Sequence, residues 1–250
     1  MVYQAKDFWQ ERFKKDFSLL GSGHTGFSRV HNYYMYRLKA KKLSFGLARH
    51  DVAVKGAKVL DIGCGTGFFI EYYLKKGAKS VSGIDITDIS VKLLRQRFPG
   101  QEFHQVDISL EPYPGMDKFD IINIFDVLYH IVDDQGFNSA LKNIGLSAKS
   151  GAWILVTDSL NPVAGSAAHV RYRRLDEYRR IFKEESIDII EIVPIYNCMG
   201  RTLFAYFKNE MLQKVSAAAT ELGVIISYWV DSFYCPLENS LMKLLVCRKK

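Results

Sequence analysis

From Lys58 onward the chain alternates short apolar runs with stretches whose apolar positions recur at helical spacing. The runs predict strands at Lys58 to Ile62, Ser80 to Asp85, Glu102 to Val106, Phe119 to Ile124, Ala152 to Thr157, Ile187 to Val193 and Leu241 to Cys247. Helices are expected at Gly67 to Lys76, Ser90 to Phe98, Gly136 to Leu146 and Leu175 to Glu184. Such alternation argues for a largely parallel sheet covered by helices. Phe119 to Ile124 is almost unbrokenly apolar, as the buried centre of a sheet requires. Pro194 is read as the close of the sixth strand.

Residues 1–55 precede this pattern and read as amphipathic helices, a helical cap before a domain over 56–250. Phe8, Trp9, Phe13, Phe17, Leu19 and Leu20 form one apolar face, and Gly21-Ser22-Gly23-His24-Thr25-Gly26 breaks it as a flexible linker or lid hinge. A second helical stretch runs from Val30 to Leu47, with Arg37, Lys39, Lys41 and Lys42 on its solvated face. About 45 residues separate the last two strands, far more than a usual connection. This insertion, about 195–240, is expected to hold a helix from Thr202 to Leu222 and an aromatic loop from Tyr228 to Pro236, packed over the sheet edge or the substrate pocket.

Length and composition add bounds. The 250 residues suffice for one large α/β domain with a proper core, and 48% hydrophobic with 24% charged residues is ordinary for a soluble globular protein. The net charge of +7 suits RNA, phosphorylated metabolites or an anionic membrane surface, but a solvated basic surface explains it equally well. Cys64, Cys198, Cys235 and Cys247 form no C-x-x-C pair, which argues against zinc and disulfides and suits a reducing cytoplasm. The N-terminus lacks the build of a signal peptide, and no apolar run is long enough to span a bilayer. The expectation is a soluble cytoplasmic protein without a membrane partner.

The candidate chemistry centres on Val59-Leu60-Asp61-Ile62-Gly63-Cys64-Gly65-Thr66-Gly67, followed by Phe68 to Leu74 at helical spacing. This is strand, tight turn, helix. Glycine serves the turn because it adopts positive φ cheaply and leaves backbone amides open to a ligand. A dinucleotide fingerprint would place its third glycine where Phe68 stands. The pattern D-x-G-x-G-x-G instead resembles motif I of the class I S-adenosylmethionine (SAM) methyltransferases. Within that superfamily the run Phe125-Asp126-Val127-Leu128-Tyr129-His130-Ile131, with Gly23-His24 and Asn32-Tyr33-Tyr34, is similar to a bacterial group of small-molecule methyltransferases.

The resemblance implies a Rossmann-like seven-stranded mixed sheet flanked by helices, its last strand antiparallel, with SAM as cofactor and S-adenosylhomocysteine as product. By it, Asp61, Gly63, Gly65 and Gly67 hold the methionine moiety, and Phe125 faces it. Asp85, 18 positions beyond Gly67, holds the ribose, with Ile86 against the adenine. Asp107 and Ile108 meet the adenine amino group and ring, although an ordinary loop acid is the other reading of Asp107. A divalent metal of the catechol-type enzymes is not expected, because Ser159 rather than asparagine follows Asp158.

Methyl transfer is an in-line displacement, so the protein mainly aligns and desolvates the acceptor. An oxygen acceptor gains from a base, and His130 is placed for that role or for simple packing on the next helix. Tyr129 and His169 are candidates for the acceptor pocket. Arg171 and Arg173 would clamp an anionic acceptor, or else Arg173, Glu177 and Arg180 pair along a solvated face. The activity expected is methyl transfer to oxygen or nitrogen of a small molecule. An RNA or protein methyltransferase and a non-catalytic SAM-binding partner subunit are the alternatives, with a nicotinamide dehydrogenase a remote third. No RNA-binding module is evident.

Overall fold

Three helices precede the sheet in a computed structural model that describes residues 3–116, 118–162, 167–200 and 210–250: α1 (Ala5–Lys15), α2 (Leu19–Ser22) and α3 (Arg29–Arg49). They are followed by β1 (Lys58–Ile62), α4 (Phe68–Lys75), β2 (Ser80–Asp85), α5 (Asp88–Arg97) and β3 (Phe103–Gln105). Then come β4 (Phe119–Ile124), α6 (Asp134–Ser147), β5 (Ala148–Asp158), α7 (Leu175–Glu184) and β6 (Ile187–Tyr196), before α8 (Glu210–Phe233) and β7 (Met242–Lys249). Side-chain caps start several helices: Ser28 accepts from His31 N, Thr87 from Ser90 N and Asp133 from Gly136 N.

The strands lie in the order β3-β2-β1-β4-β5-β7-β6. β7 runs antiparallel to β5 and β6, and the other neighbouring pairs are parallel. This is the expected seven-stranded mixed sheet. Because β1 is flanked by β2 and β4, the strand order reverses there, and the crevice beyond their carboxyl ends is where an open α/β sheet takes ligands.

Several boundaries differ from expectation. β6 continues past Pro194 to Tyr196, with a register shift after the proline. It is an edge strand, where a residue without an N–H is tolerated. The expected aromatic loop from Tyr228 is helical as far as Phe233, since Val224, Tyr228 and Asp231 form a buried helix face. Asp231 earns that place by accepting from Cys198 N at 3.1 Å and Met199 N at 2.8 Å. The stretch 202–209 of the expected insertion helix lies outside the described residues. The Gly21 to Gly26 segment is tied down rather than a free linker: Arg12 donates to Gly23 O at 2.6 Å, and the Asn32 side chain bonds both His24 N and His24 O.

α3 packs into the core. Its Leu38, Leu43 and Leu47 are almost fully buried with Leu244 and Val246 of β7, so α3 shares the core of the sheet. Among the described residues no helix is long and apolar enough to cross a membrane.

Candidate active site

A cavity of about 570 Å³ opens at the carboxyl ends of β1, β2 and β4, with Trp9 and Phe13 of α1 on one wall. Of the residues singled out in the sequence, Gly63, Gly65, Asp85, Ile86, Asp107, Ile108, Phe125 and His130 line it. Asp61, Gly67, Tyr129, His169, Arg171 and Arg173 do not.

The turn after β1 has three left-handed glycines, Gly63 at φ 69°, Gly65 at 48° and Gly67 at 80°. Their amides are engaged within the protein. Gly63 N and Cys64 N donate to Ile84 O, Gly65 N to Asp85 Oδ2 at 2.9 Å, and Gly67 N to Cys64 O. Gly63, Cys64, Gly65 and Gly67 thus spend their amides inside the protein and not on a ligand phosphate. A Cβ on Gly65 would meet nothing nearer than Phe13 Cζ at 3.7 Å, so its side faces the cavity. A Cβ on Gly67 would meet Leu94 Cδ2 at 2.6 Å and Phe98 Cε2 at 2.9 Å, so this glycine permits α4 to approach α5.

Asp61 sits behind the turn. It is 2% exposed, and Oδ1 accepts from Asn123 Nδ2 at 2.7 Å, while Tyr73 Oη donates to Asn123 Oδ1. Burial pushes its pKa up to about 7. Asp85 and Asp107 do reach the cavity. Asp85 accepts from Thr87 N, Thr87 Oγ1 and Gly65 N, and the Ser90 hydroxyl also lies against its carboxylate. Asp107 accepts from Ser109 N and Ser109 Oγ, both on Oδ1, with Oδ2 available.

His130 lies in a short 3-10 turn, Leu128–His130, after β4. Its Nδ1 is 2.8 Å from His169 O. A carbonyl only accepts, so Nδ1 carries the proton and the neutral ring keeps Nε2 as an acceptor. Burial lowers the pKa to about 4, and Trp9 meets the ring edge-on at 4.9 Å. His169 thus contributes its carbonyl, while its ring stacks on Phe8 at 4.6 Å instead of entering the cavity. Tyr129 is buried against Tyr172, and its carbonyl accepts from Arg171 N at 2.7 Å.

Both arginines are engaged within the protein. Arg173 is 1% exposed and stacks on Phe137 at 4.1 Å. Its guanidinium donates to Ile131 O at 3.0 Å, Asp133 O at 3.2 Å and Asp134 Oδ1 at 3.1 Å. Arg171 donates to Asp134 Oδ2 at 2.9 Å. Together they fix the loop whose Ile131, Val132 and Asp133 line the cavity, acting from behind the wall.

One feature was not visible in the sequence. Lys39, expected on a solvated face, is 5% exposed and pairs with Asp126, which lines the cavity at the end of β4. Asp126 holds a left-handed φ of 62°, and its N–H donates to Thr157 Oγ1 at 2.8 Å. Non-glycine residues in this region cluster at functional sites.

A family model described as a methyltransferase domain matches residues 31–189. The chain belongs to this methyltransferase family. Over 119 residues it is 32% identical to a tRNA U34 carboxymethyltransferase of Alteromonas mediterranea, covering 44% of this chain and 35% of that protein. Over 123 residues it is 30% identical to a ubiquinone biosynthesis O-methyltransferase of Pasteurella multocida, covering 44% of this chain and 50% of that one. The match thus spans half or less of these relatives' lengths. In fold it is similar to magnesium protoporphyrin IX methyltransferase of Synechocystis with bound SAM, at TM-score 0.61 and 14% identity over 99% of this chain and 98% of that one. It is also similar to the N-methyltransferase NodS of Bradyrhizobium japonicum, at TM-score 0.61 and 15% identity over 97% and 99%.

The cavity of this family member fits SAM. Its volume is in the range of small-molecule sites, the Gly65 backbone leaves it clear, and two acids that line it, Asp85 and Asp107, stand at neighbouring strand ends.

Proposed function

We propose that the protein transfers the SAM methyl group to oxygen or nitrogen of a small-molecule acceptor seated between His130 and the inner face of α1. The observation that carries this is the bond from His130 Nδ1 to His169 O, which leaves an unprotonated Nε2 on a residue of the cavity wall. Bound SAM supplies an electrophilic methyl group on a sulfonium. Gly63, Gly65 and Phe125 would flank its methionine part, and Asp61 would support the turn through Asn123. Asp85 would accept from the ribose hydroxyls, with Ile86, Asp107 and Ile108 at the adenine. Nε2 of His130 takes the proton that leaves the acceptor, and Trp9 and Phe13 exclude water from it. In this reading α1 and α2 are the cap. A screen of candidate metabolites for S-adenosylhomocysteine formation tests it. Thermal stabilisation by NAD but not by S-adenosylhomocysteine would overturn it.

An RNA acceptor is a second reading, favoured by the relative named a tRNA carboxymethyltransferase and by the net charge of +7. Affinity for mixed RNA that falls steeply with salt supports it, and no affinity at low salt removes it.

A further inference from the structure

α8 turns a row of large apolar side chains to solvent. Leu222 is 59% exposed, Ile226 53%, Trp229 52% and Phe233 78%, one from each successive turn of the same helix face. The opposite face, with Val224, Tyr228 and Asp231, is buried. Between Glu221 and Glu238 the sole charged residue is Asp231, and its carboxylate is used up on Cys198 N and Met199 N. The exposed face over these turns is therefore free of acid.

α3 runs alongside, with Tyr34 and Tyr228 in ring contact at 5.2 Å. Its surface ridge at four-residue spacing reads Tyr33, Arg37, Lys41, Phe45, Arg49. Lys41 Nζ stands 4.5 Å from the Phe233 ring and 5.6 Å from that of Trp229. Arg49 is paired with Glu191, whereas Arg37 and Lys41 have no carboxylate partner among the described residues. An apolar aromatic row beside two cations that have no carboxylate partner among the described residues is the composition of a helix lying in a membrane interface, where apolar side chains enter the acyl boundary and cations reach the lipid phosphates. A second copy fits less well, because a twofold contact would bring two acid-free faces and their cations together.

We propose that the α3–α8 face docks the protein on an anionic lipid bilayer, with Leu222, Ile226, Trp229 and Phe233 inserted at the surface and Arg37 and Lys41 at the phosphates. This departs from the expectation of no membrane partner. Hydropathy counting excludes a spanning segment and is silent on a helix that lies flat. The proposal is independent of the methyl-transfer reading.

The test is co-sedimentation of the full chain with vesicles of phosphatidylcholine alone or mixed with phosphatidylglycerol, at low and high salt. Wild-type protein is expected to bind the anionic vesicles and to release with salt. In the double variants Trp229→Gln/Phe233→Gln and Arg37→Glu/Lys41→Glu the altered side chains are exposed except for the half-buried Lys41, and a melting measurement on each checks that its fold is kept. Each should bind at least about tenfold more weakly. No vesicle binding at low salt overturns the proposal, as does binding that both variants retain. A dimer in sedimentation that Phe233→Gln dissociates also overturns it, by assigning the face to a second copy.

Discussion

Lys39 Nζ and Asp126 Oδ2 form an ion pair with side chains only 5% and 15% exposed, joining the middle of α3 to the cavity edge of β4. Removing one partner strands the other charge. Lys39→Ala is expected to cost about 3–5 kcal/mol in urea denaturation. Lys39→Met with Asp126→Asn should recover most of that loss, because neither position is then charged. Methyl transfer should stay impaired in the double variant, since Asp126 lines the cavity. Equal stability losses for the single and double variants would show that the pair contributes by its shape and not by its charge.

Gly65→Ala and Gly67→Ala should separate ligand from packing. Both positions have positive φ, worth roughly 1 kcal/mol against alanine. At Gly65 the added methyl has room beside Phe13, so the fold should persist while affinity for S-adenosylhomocysteine drops in calorimetry. At Gly67 it strikes Leu94 and Phe98, so melting should fall further than in Gly65→Ala. Equal melting losses would contradict the assignment of Gly67 to helix packing.

Arg173→Lys should be nearly as damaging as Arg173→Ala. Lysine cannot reproduce the fork that reaches Ile131 O, Asp133 O and Asp134 together, nor the stacking on Phe137. A stability loss of about 2–3 kcal/mol is expected for either, with weakened cofactor binding because the 131–133 wall loosens. An anion-clamping arginine would instead change acceptor KM alone.

Asp61→Asn should stabilise the protein more as pH rises. The folded pKa, raised by burial to about 7, lies above the ordinary 3.8, so the folded state keeps a proton that the unfolded chain releases. Stability from that proton is full below the unfolded value and is lost as pH rises to about 7. Thermal melts well above that pH should therefore show Asp61→Asn as more stable than wild type, by on the order of 2–4 kcal/mol, with little gain at acid pH.

The sheet was legible because its signals are local. Phe119 to Ile124 is apolar end to end, and Asp61, Asp85 and Asp107 each follow an apolar run, so strand ends and the crevice could be read in register. The roles of Arg173 and Lys39 were not legible, because a charged side chain carries no mark of burial. What buries them is a loop 40 residues away in one case and the end of β4 in the other. Asp231 misled for the same reason: a buried acid that caps two amides breaks the apolar spacing of α8.

His130 provides the sharpest test of the proposed chemistry. An ordinary histidine base gives a rate that falls as pH drops through about 6.5. Here burial holds the folded pKa near about 4, so the ring stays neutral, with Nε2 ready to accept, across the whole interval between. The pH profile of kcat/KM should accordingly be flat through 6.5 and lose its acid limb only toward about 4. Stability has the same direction: the contribution of the neutral ring is full above the unfolded value near 6.5 and declines as pH falls to about 4, where the folded ring also protonates. His130→Ala should leave S-adenosylhomocysteine binding intact and lower turnover at least tenfold, about 1.4 kcal/mol in barrier. His130→Gln, which keeps a polar side chain but no base, should be equally slow and lose the limb near about 4. Unchanged turnover in either variant would leave the ring as a packing residue between Trp9 and the His169 carbonyl.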